Sequence, residues 1–334
     1  MWLVVAACAG KRPLHTTPAP PPMSLCASTA CADTLRLTFL GVGGFLFERG
    51  ERSLLTAPSF TNPGLLHVAF GLRVRSDSAL VARRLALVDS AALARASAIL
   101  VGHGHYDHLL DVPLVARRHA PRATVYGGRT VANILAGAAL DSSRVRMIVR
   151  DDLGDPTRVG RWFHVPGYRF MALESEHPPN VAGVTFAPGR VWTPLRGLPR
   201  AAHDYKLGEP YAYLIDVLRA DSTPALRILY HDAAASPDLA HLPPFAGPDV
   251  RPVDLLIVTA GNFDAVPDYP SAHLRTLQPK LTIVAHWEDF FRSAERPLRA
   301  IPLLRSDVLA KRLEQHAPGR WITPEPMATL TIAY

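Results

Sequence analysis

Cysteine is nearly absent: Cys8, Cys26 and Cys31 are the only three in 334 residues, and all lie before the first convincing strand. None is therefore placed to serve as a nucleophile in a pocket. Long apolar runs are missing too. None approaches the roughly 18 residues that a helix needs to cross a bilayer, which excludes a helical membrane protein. Lysine is confined to Lys11, Lys206, Lys280 and Lys311, and the arginines are scattered. So although the formal charge is +7 and the pI about 9.6, no basic patch for nucleic acid is in view. Charged residues make up only 19%, against 48% hydrophobic. That is neither a disordered nor a fibrous composition, and a chain this long buries a sizeable core without disulfide support. The length fits two domains or one large layered domain.

The first 34 residues read as a leader. Met1 to Gly10 are apolar and then small, and Val5-Ala6-Ala7-Cys8 resembles a bacterial lipobox, although the apolar run is short and no basic segment precedes it. Lys11 to Thr34 are rich in Pro, Ser, Thr and Ala and have no periodicity, as in a tether. Two readings follow: an exported lipoprotein, held at a membrane surface only through Cys8, or a disordered cytosolic leader. Cys26 and Cys31 are either a pair formed in an oxidising compartment or two free thiols.

Folded structure is expected from Leu35 to Tyr334. Leu35 to Leu40 alternates, Gly41-Val42-Gly43-Gly44 makes a tight turn, and residues 45–48 and 53–56 continue as strands. The glycine turn leads into a strand and not a helix, so it is no dinucleotide fingerprint. Residues 58–77 read as irregular and 98–102 as a short buried strand. Helices are expected at 111–119 and 129–140, then strands at 145–149, 161–165 and 168–173. Residues 178–206, rich in Pro, Gly and aromatics, form a second long stretch without period, of the kind that is functional or disordered. Four further strands are expected at 211–217, 226–230, 255–259 and 281–285. The order of strands, then strands alternating with helices, then the same again, predicts an α+β chain. Two mixed sheets pack face to face with helices outside.

The segment Gly102-His103-Gly104-His105-Tyr106-Asp107-His108 carries the chemistry. It places three imidazoles and a carboxylate within six residues, directly after an apolar strand. Imidazole and carboxylate suit Zn, Fe or Mn, and the lack of nearby cysteine argues against a purely structural zinc site. His103 and His105, two apart at a strand end, can point at one metal. Asp107 and His108, at the start of the next helix, can turn towards a second. Gly102 and Gly104 let the backbone curl between them.

His103-x-His105-x-Asp107-His108 resembles the signature of the metallo-β-lactamase-fold metallo-hydrolases, over about Leu35 to Tyr334. The resemblance implies a single domain, a four-layered αβ/βα sandwich with an internal pseudo-repeat and a two-metal site at one edge of the sheets. It implies that His177 completes a first set with His103 and His105. His286 completes a second set with Asp107 and His108, and Asp232 bridges both metals. His231 and Ala233 depart from the family pattern around Asp232, and His231 could compete as a ligand. Ala57 stands where many relatives carry an aspartate that supports the metal loop. Asp111 is read as a turn or helix-start residue, or as a supporting group for the site. Glu174, Glu176 and Glu288 are read as solvated or supporting groups.

A site of that kind would hold two divalent ions, Zn2+ first and Fe or Mn otherwise. It would hydrolyse an ester or lactone with a metal-bridging hydroxide, with Asp107 orienting the nucleophile. The alternatives are a phosphodiesterase of phospholipase-D type and a non-catalytic metal-binding protein. Electron transfer at a di-iron centre would need a flavin-binding domain or another electron partner, and none is in view. The bridging aspartate argues against antibiotic hydrolysis, and the layout loosely resembles the branch of N-acyl-phosphatidylethanolamine phospholipase D and sugar-phosphate lactonases. Pocket walls are expected from residues 58–77 and 178–206. These offer Phe60, Leu65, Leu66, Phe70, Phe186 and Trp192 with Arg190, Arg196 and Arg200, which suits a small or lipid-like substrate with an anionic group.

Overall fold

The computed structural model describes residues 14–26, 31, 33–180 and 183–334. Cys8 lies outside the described residues, and so does the lipobox-like segment around it.

Two eight-stranded sheets face each other. In the first, strands Thr34–Gly41, Gly44–Arg49 and Arg52–Thr56 run antiparallel, and Ala96–Leu100, Thr124–Gly127 and Val145–Met147 then continue in parallel from Arg52–Thr56. In the second, Phe163–Val165, Tyr168–Glu174, Tyr211–Leu218 and Pro224–His231 are antiparallel, followed by parallel Leu255–Thr259, Leu281–Ala285 and Trp321–Pro324. Each sheet thus repeats the same plan of an antiparallel half and a parallel half, which is the expected sandwich of mixed sheets.

The period of two explains the layering. Phe45 and Phe47 enter the core between the sheets, and Leu46 between them in sequence enters the layer beneath the helices. Leu54 and Leu55 divide in the same way, as do Ala98 and Leu100 against Ile99 and Val101. The outer layer is built from Val81, Leu85, Leu93, Val115 and Ile134 of the first half's helices. The helix Ser78–Leu85 starts at Asp77, whose carboxylate accepts from Ala79 N and Leu80 N at 3.0 Å, an N-cap that satisfies two orphan donors.

The expected tether differs. Thr16–Thr17 adds to Thr323–Pro324 at the edge of one sheet, and Met23–Ser24 adds to Ile332–Ala333 at the edge of the other. Edge strands offer unpaired backbone groups, so a segment can pair there without any side-chain periodicity. Cys26 and Cys31 are joined as a disulfide. The stretch 58–77 is not wholly irregular either, for it contains the short helix Leu65–Ala69. No helix among the described residues is long and apolar enough to cross a membrane.

Candidate metal centre

The strand Ala96–Leu100 delivers the motif to the rim of the first sheet, and His105 starts the short helix Tyr106–Leu109. Backbone bonds fix the loop: Gly104 N donates to Leu207 O and Tyr211 N to Gly102 O, both at 2.9 Å. The two glycines are required by close approach and not by a left-handed backbone. A Cβ on Gly102 would lie 2.2 Å from Asp232 Oδ2, and one on Gly104 2.3 Å from Lys206 O. His177, Asp232 and His286 follow the strands Tyr168–Glu174, Pro224–His231 and Leu281–Ala285, so strand ends of the second sheet close the site. His286 sits at φ +54°, a conformation that costs a non-glycine residue of order 1 kcal/mol or more and gathers at functional sites.

All seven expected ligands come together. Ligand atoms of His103, His105 and His177 lie within 4.8 Å of one another, and so do those of Asp107, His108 and His286. Among the described residues, the one further such group joins Asp232 to His103 and His108. In the first triad each ring has one nitrogen engaged outside the triad. His105 Nε2 donates to Phe186 O at 2.8 Å and His177 Nδ1 to Pro178 O at 2.7 Å, while His103 Nδ1 meets Asp232 Oδ2 at 2.7 Å. Such partners fix the tautomer. They leave His103 Nε2, which lies 3.1 Å from His105 Nδ1, and His177 Nε2 facing inward. In the second triad Asp107 Oδ2 stands 3.5 Å from His108 Nε2 and 3.4 Å from His286 Nε2, and His286 Nδ1 is buried without a partner among the described residues.

Asp232 occupies the middle, as expected, but both of its oxygens are already engaged. Oδ2 takes His103 Nδ1, and Oδ1 takes His108 Nδ1 at 2.9 Å together with the Tyr230 hydroxyl. The carboxylate therefore braces one imidazole of each triad from the side of its Nδ1. A contact to two cations would require those bonds to open. Gly43 makes room for this brace, since a Cβ there would fall 2.8 Å from Asp232 Oδ1. Glu288 is buried and accepts from Val42 N, pinning the glycine turn that carries Gly43.

Burial and the neighbouring charges set the protonation of the cluster. Burial pushes the Asp107 and Asp232 carboxyls up, but His108 beside both holds each well below the usual range. Burial alone would lower His108, yet Asp232 and Asp107 raise it to about 9. Burial, reinforced by neighbouring imidazoles, lowers His103 and His105, and takes His177 down to about 3. These three rings are therefore neutral, the form that binds a cation.

Other expectations are corrected. His231 points away from the cluster, its ring 4.7 Å from that of His273 and nearly perpendicular to it, because consecutive residues at a strand end face opposite ways. Asp111 stands at the start of the helix Val112–Arg118, as expected, but its side chain makes no cap bond there and does not touch the cluster. It accepts from Phe60 N at 2.7 Å, Thr61 N at 2.6 Å and the Ser76 hydroxyl, and so ties together the ends of a surface loop. Glu174 and Glu176 are exposed, as expected.

The cluster opens on a cavity of about 410 Å³. Of the wall residues expected from sequence, only Leu65 and Phe186 line it. Phe60 belongs to the core beneath the helices, Leu66, Phe70 and Trp192 are exposed, and Arg190, Arg196 and Arg200 lie on the surface. The segment after His286 supplies much of the remainder, through Phe290, Phe291, Ile301 and Leu303. No lysine or arginine lines the cavity among the described residues.

Residues 56–194 match the family model described as the Beta-lactamase superfamily domain. A metal-dependent hydrolase from Polynucleobacter asymbioticus is 24% identical over 203 residues, which span 60% of this chain and 60% of that relative's length. Igni18, a metallo hydrolase from the archaeon Ignicoccus hospitalis, superposes with a TM-score of 0.53 at 14% identity, over 90% of this chain and 99% of its own. The metallo-β-lactamase-fold protein YhfI from Bacillus subtilis does so with a TM-score of 0.50 at 13% identity, over the same shares.

Proposed function

We propose that the chain is a metal-dependent hydrolase of the metallo-β-lactamase superfamily that holds two divalent cations and cleaves an ester or lactone. His103 Nε2, His105 Nδ1 and His177 Nε2 would hold one cation, and Asp107, His108 Nε2 and His286 Nε2 the other. Zinc suits these nitrogen and oxygen donors, with iron or manganese as the alternatives. When bound, such a pair lowers the pKa of water towards neutrality and polarises the scissile carbonyl. Asp107 also lines the cavity, so its carboxylate can accept a hydrogen bond from the attacking water and orient it. Asp232 holds His103 and His108 in register, and the Phe186 and Pro178 carbonyls do the same for His105 and His177.

One observation carries this reading: two interlocked triads of metal-binding side chains at the floor of a cavity without a fixed cation. A phosphodiester would arrive with a charge that nothing but the cations themselves could answer, so the carboxylic ester or lactone is preferred. The test is metal quantification on protein purified without added ions, then turnover of aryl esters, lactones and bis(p-nitrophenyl) phosphate. The expected result is close to two equivalents per chain, with ester or lactone hydrolysis lost in Asp107→Ala. One equivalent, or a metal-loaded protein inert to all three, would refute the proposal.

A further inference from the structure

The cavity's wall is mainly apolar from floor to rim. Phe186 and Phe290 pack edge-on against His105 and His286, at ring-centroid distances of 5.7 and 5.0 Å. Phe291, Ile301 and Val68 continue the wall outward, and its polar side chains beyond the cluster are Asn180, Thr259 and Asn262. A wall of this kind selects for an apolar, uncharged body, because burying a charge there without a partner is costly.

The rim adds an independent observation. The helix Leu65–Ala69 turns Leu65, Val68 and Ala69 to the cavity, and on its other side Leu66 is 67% exposed and Phe70, at its C-terminus, 74% exposed. A helix at a water boundary normally shows polar residues on its outer face, and here His67 is the one polar residue of the five, beside the exposed Leu66 and Phe70. Across the mouth, Leu303 lines the cavity while 91% exposed, and its backbone is held at φ +68°. Asn or Gly fits that conformation at lower cost, and a leucine there both strains the backbone and leaves its side chain in water. Two opposed apolar lips thus lead from solvent to the metal cluster without an intervening charge.

We propose that the substrate is an uncharged ester or lactone bearing a linear alkyl chain, with the carbonyl at the cluster and the chain running past Phe290 and Phe186 to the lips formed by Leu65 and Leu303. This rests on the hydrolase reading and names the substrate class for the same site. Each methylene that leaves water for the wall strengthens binding by about 0.8 kcal/mol, so the chain's length sets the specificity, at about fourfold in kcat/KM per buried methylene.

The experiment is a series of p-nitrophenyl esters from acetyl to decanoyl on the metal-loaded protein. It runs in parallel with calorimetric binding of methyl ketones of the same chain lengths, which bind without being cleaved. The expected result is a steep rise of kcat/KM with chain length, carried by KM and levelling off once the cavity is full, with a matching rise in ketone affinity. Leu303→Asn, which suits the left-handed backbone and leaves the fold alone, should flatten both slopes. Acetyl and decanoyl esters turned over equally well would overturn the alkyl-chain proposal and leave the hydrolase reading standing. Ketone binding that climbs with length in a protein inert to every ester, and to lactones and bis(p-nitrophenyl) phosphate as well, would keep the alkyl site and refute the hydrolase reading. Ketone affinities independent of length would overturn the proposal whatever the turnover.

Discussion

Asp111 is the strongest single tie on the loop 58–77, and its removal has a magnitude that follows from the contacts. The side chain is fully buried and accepts from two backbone N–H groups and one hydroxyl on residues 60, 61 and 76. Hydrogen bonds to a charged acceptor contribute about 1.5–3 kcal/mol each, so three at the low end give roughly 4–5 kcal/mol. Burial opposes this by pushing the Asp111 carboxyl up from its ordinary range, and no cation sits beside it, which offsets part of the gain. Asp111→Ala should therefore lose about 3 kcal/mol, and Asp111→Asn about half as much, since the amide keeps its shape and one accepting oxygen. In a chain of this size 1 kcal/mol corresponds to about 2–4 °C, so the alanine variant should melt roughly 6–12 °C lower. The assay is a thermal melt of the metal-free protein with limited proteolysis between residues 58 and 77. Because Leu65 and Val68 of this loop line the cavity, the KM for esters should rise while metal content is retained. A loss below about 1 kcal/mol with unchanged proteolysis would refute the account of the loop as held by this one carboxylate.

Further outcomes follow from the cluster and from the layer behind it. Asp232→Asn keeps the size of the brace but replaces one accepting oxygen by a donor that faces an imidazole. Competition with a chelator should report a metal affinity lower by about 10–100-fold, and an unchanged affinity would remove Asp232 from the support of the site. Gly102→Ala should give the same defect and a stability loss of about 1–3 kcal/mol, because its methyl group would collide with the Asp232 carboxylate; a variant with native stability and metal content would be fatal to that geometry. His273 is buried, which lowers it to about 4 from an ordinary 6.5. Its folded pKa is depressed, so the unfolded chain takes up a proton first as pH falls. The neutral ring's contribution is present above about pH 6.5 and is lost progressively down to about pH 4, by roughly 3 kcal/mol. Denaturant titrations of metal-free His273→Leu across that range should show a shallower decline than the parent protein, and equal slopes would contradict the burial.

Much of the framework is legible from alternation. Phe45, Leu46 and Phe47 show which face each side chain takes, and the apolar run at 96–100 ending in glycine places the motif at a sheet rim. The seven polar groups of the cluster are legible because each closes a strand or opens a helix. What alternation cannot show is contact that depends on three dimensions. Phe290, Phe291 and Leu303 carry no period and reach the cavity from the loop that follows His286. Arg190, Arg196 and Arg200 sit in a loop that borders the site in sequence yet turn to solvent. The segment around Thr16 and Met23 pairs with sheet edges through its backbone, and the side chains it packs on the core, Leu14, Met23 and Leu25, are too widely spaced to form a period. The brace by Asp232 depends on how closely Gly43 and Gly102 let a carboxylate approach, which is a distance and not a motif.

Each triad draws on both halves of the chain: His103 and His105 need His177, and Asp107 and His108 need His286. Neither half owns a complete set of ligands. A captured ion would then act as a rivet between two separately woven sheets, closing only after they have docked in the right alignment. Loading with metal would mark the last stage of assembly, and stripping it would first loosen the seam between the halves and leave the interior of either one intact.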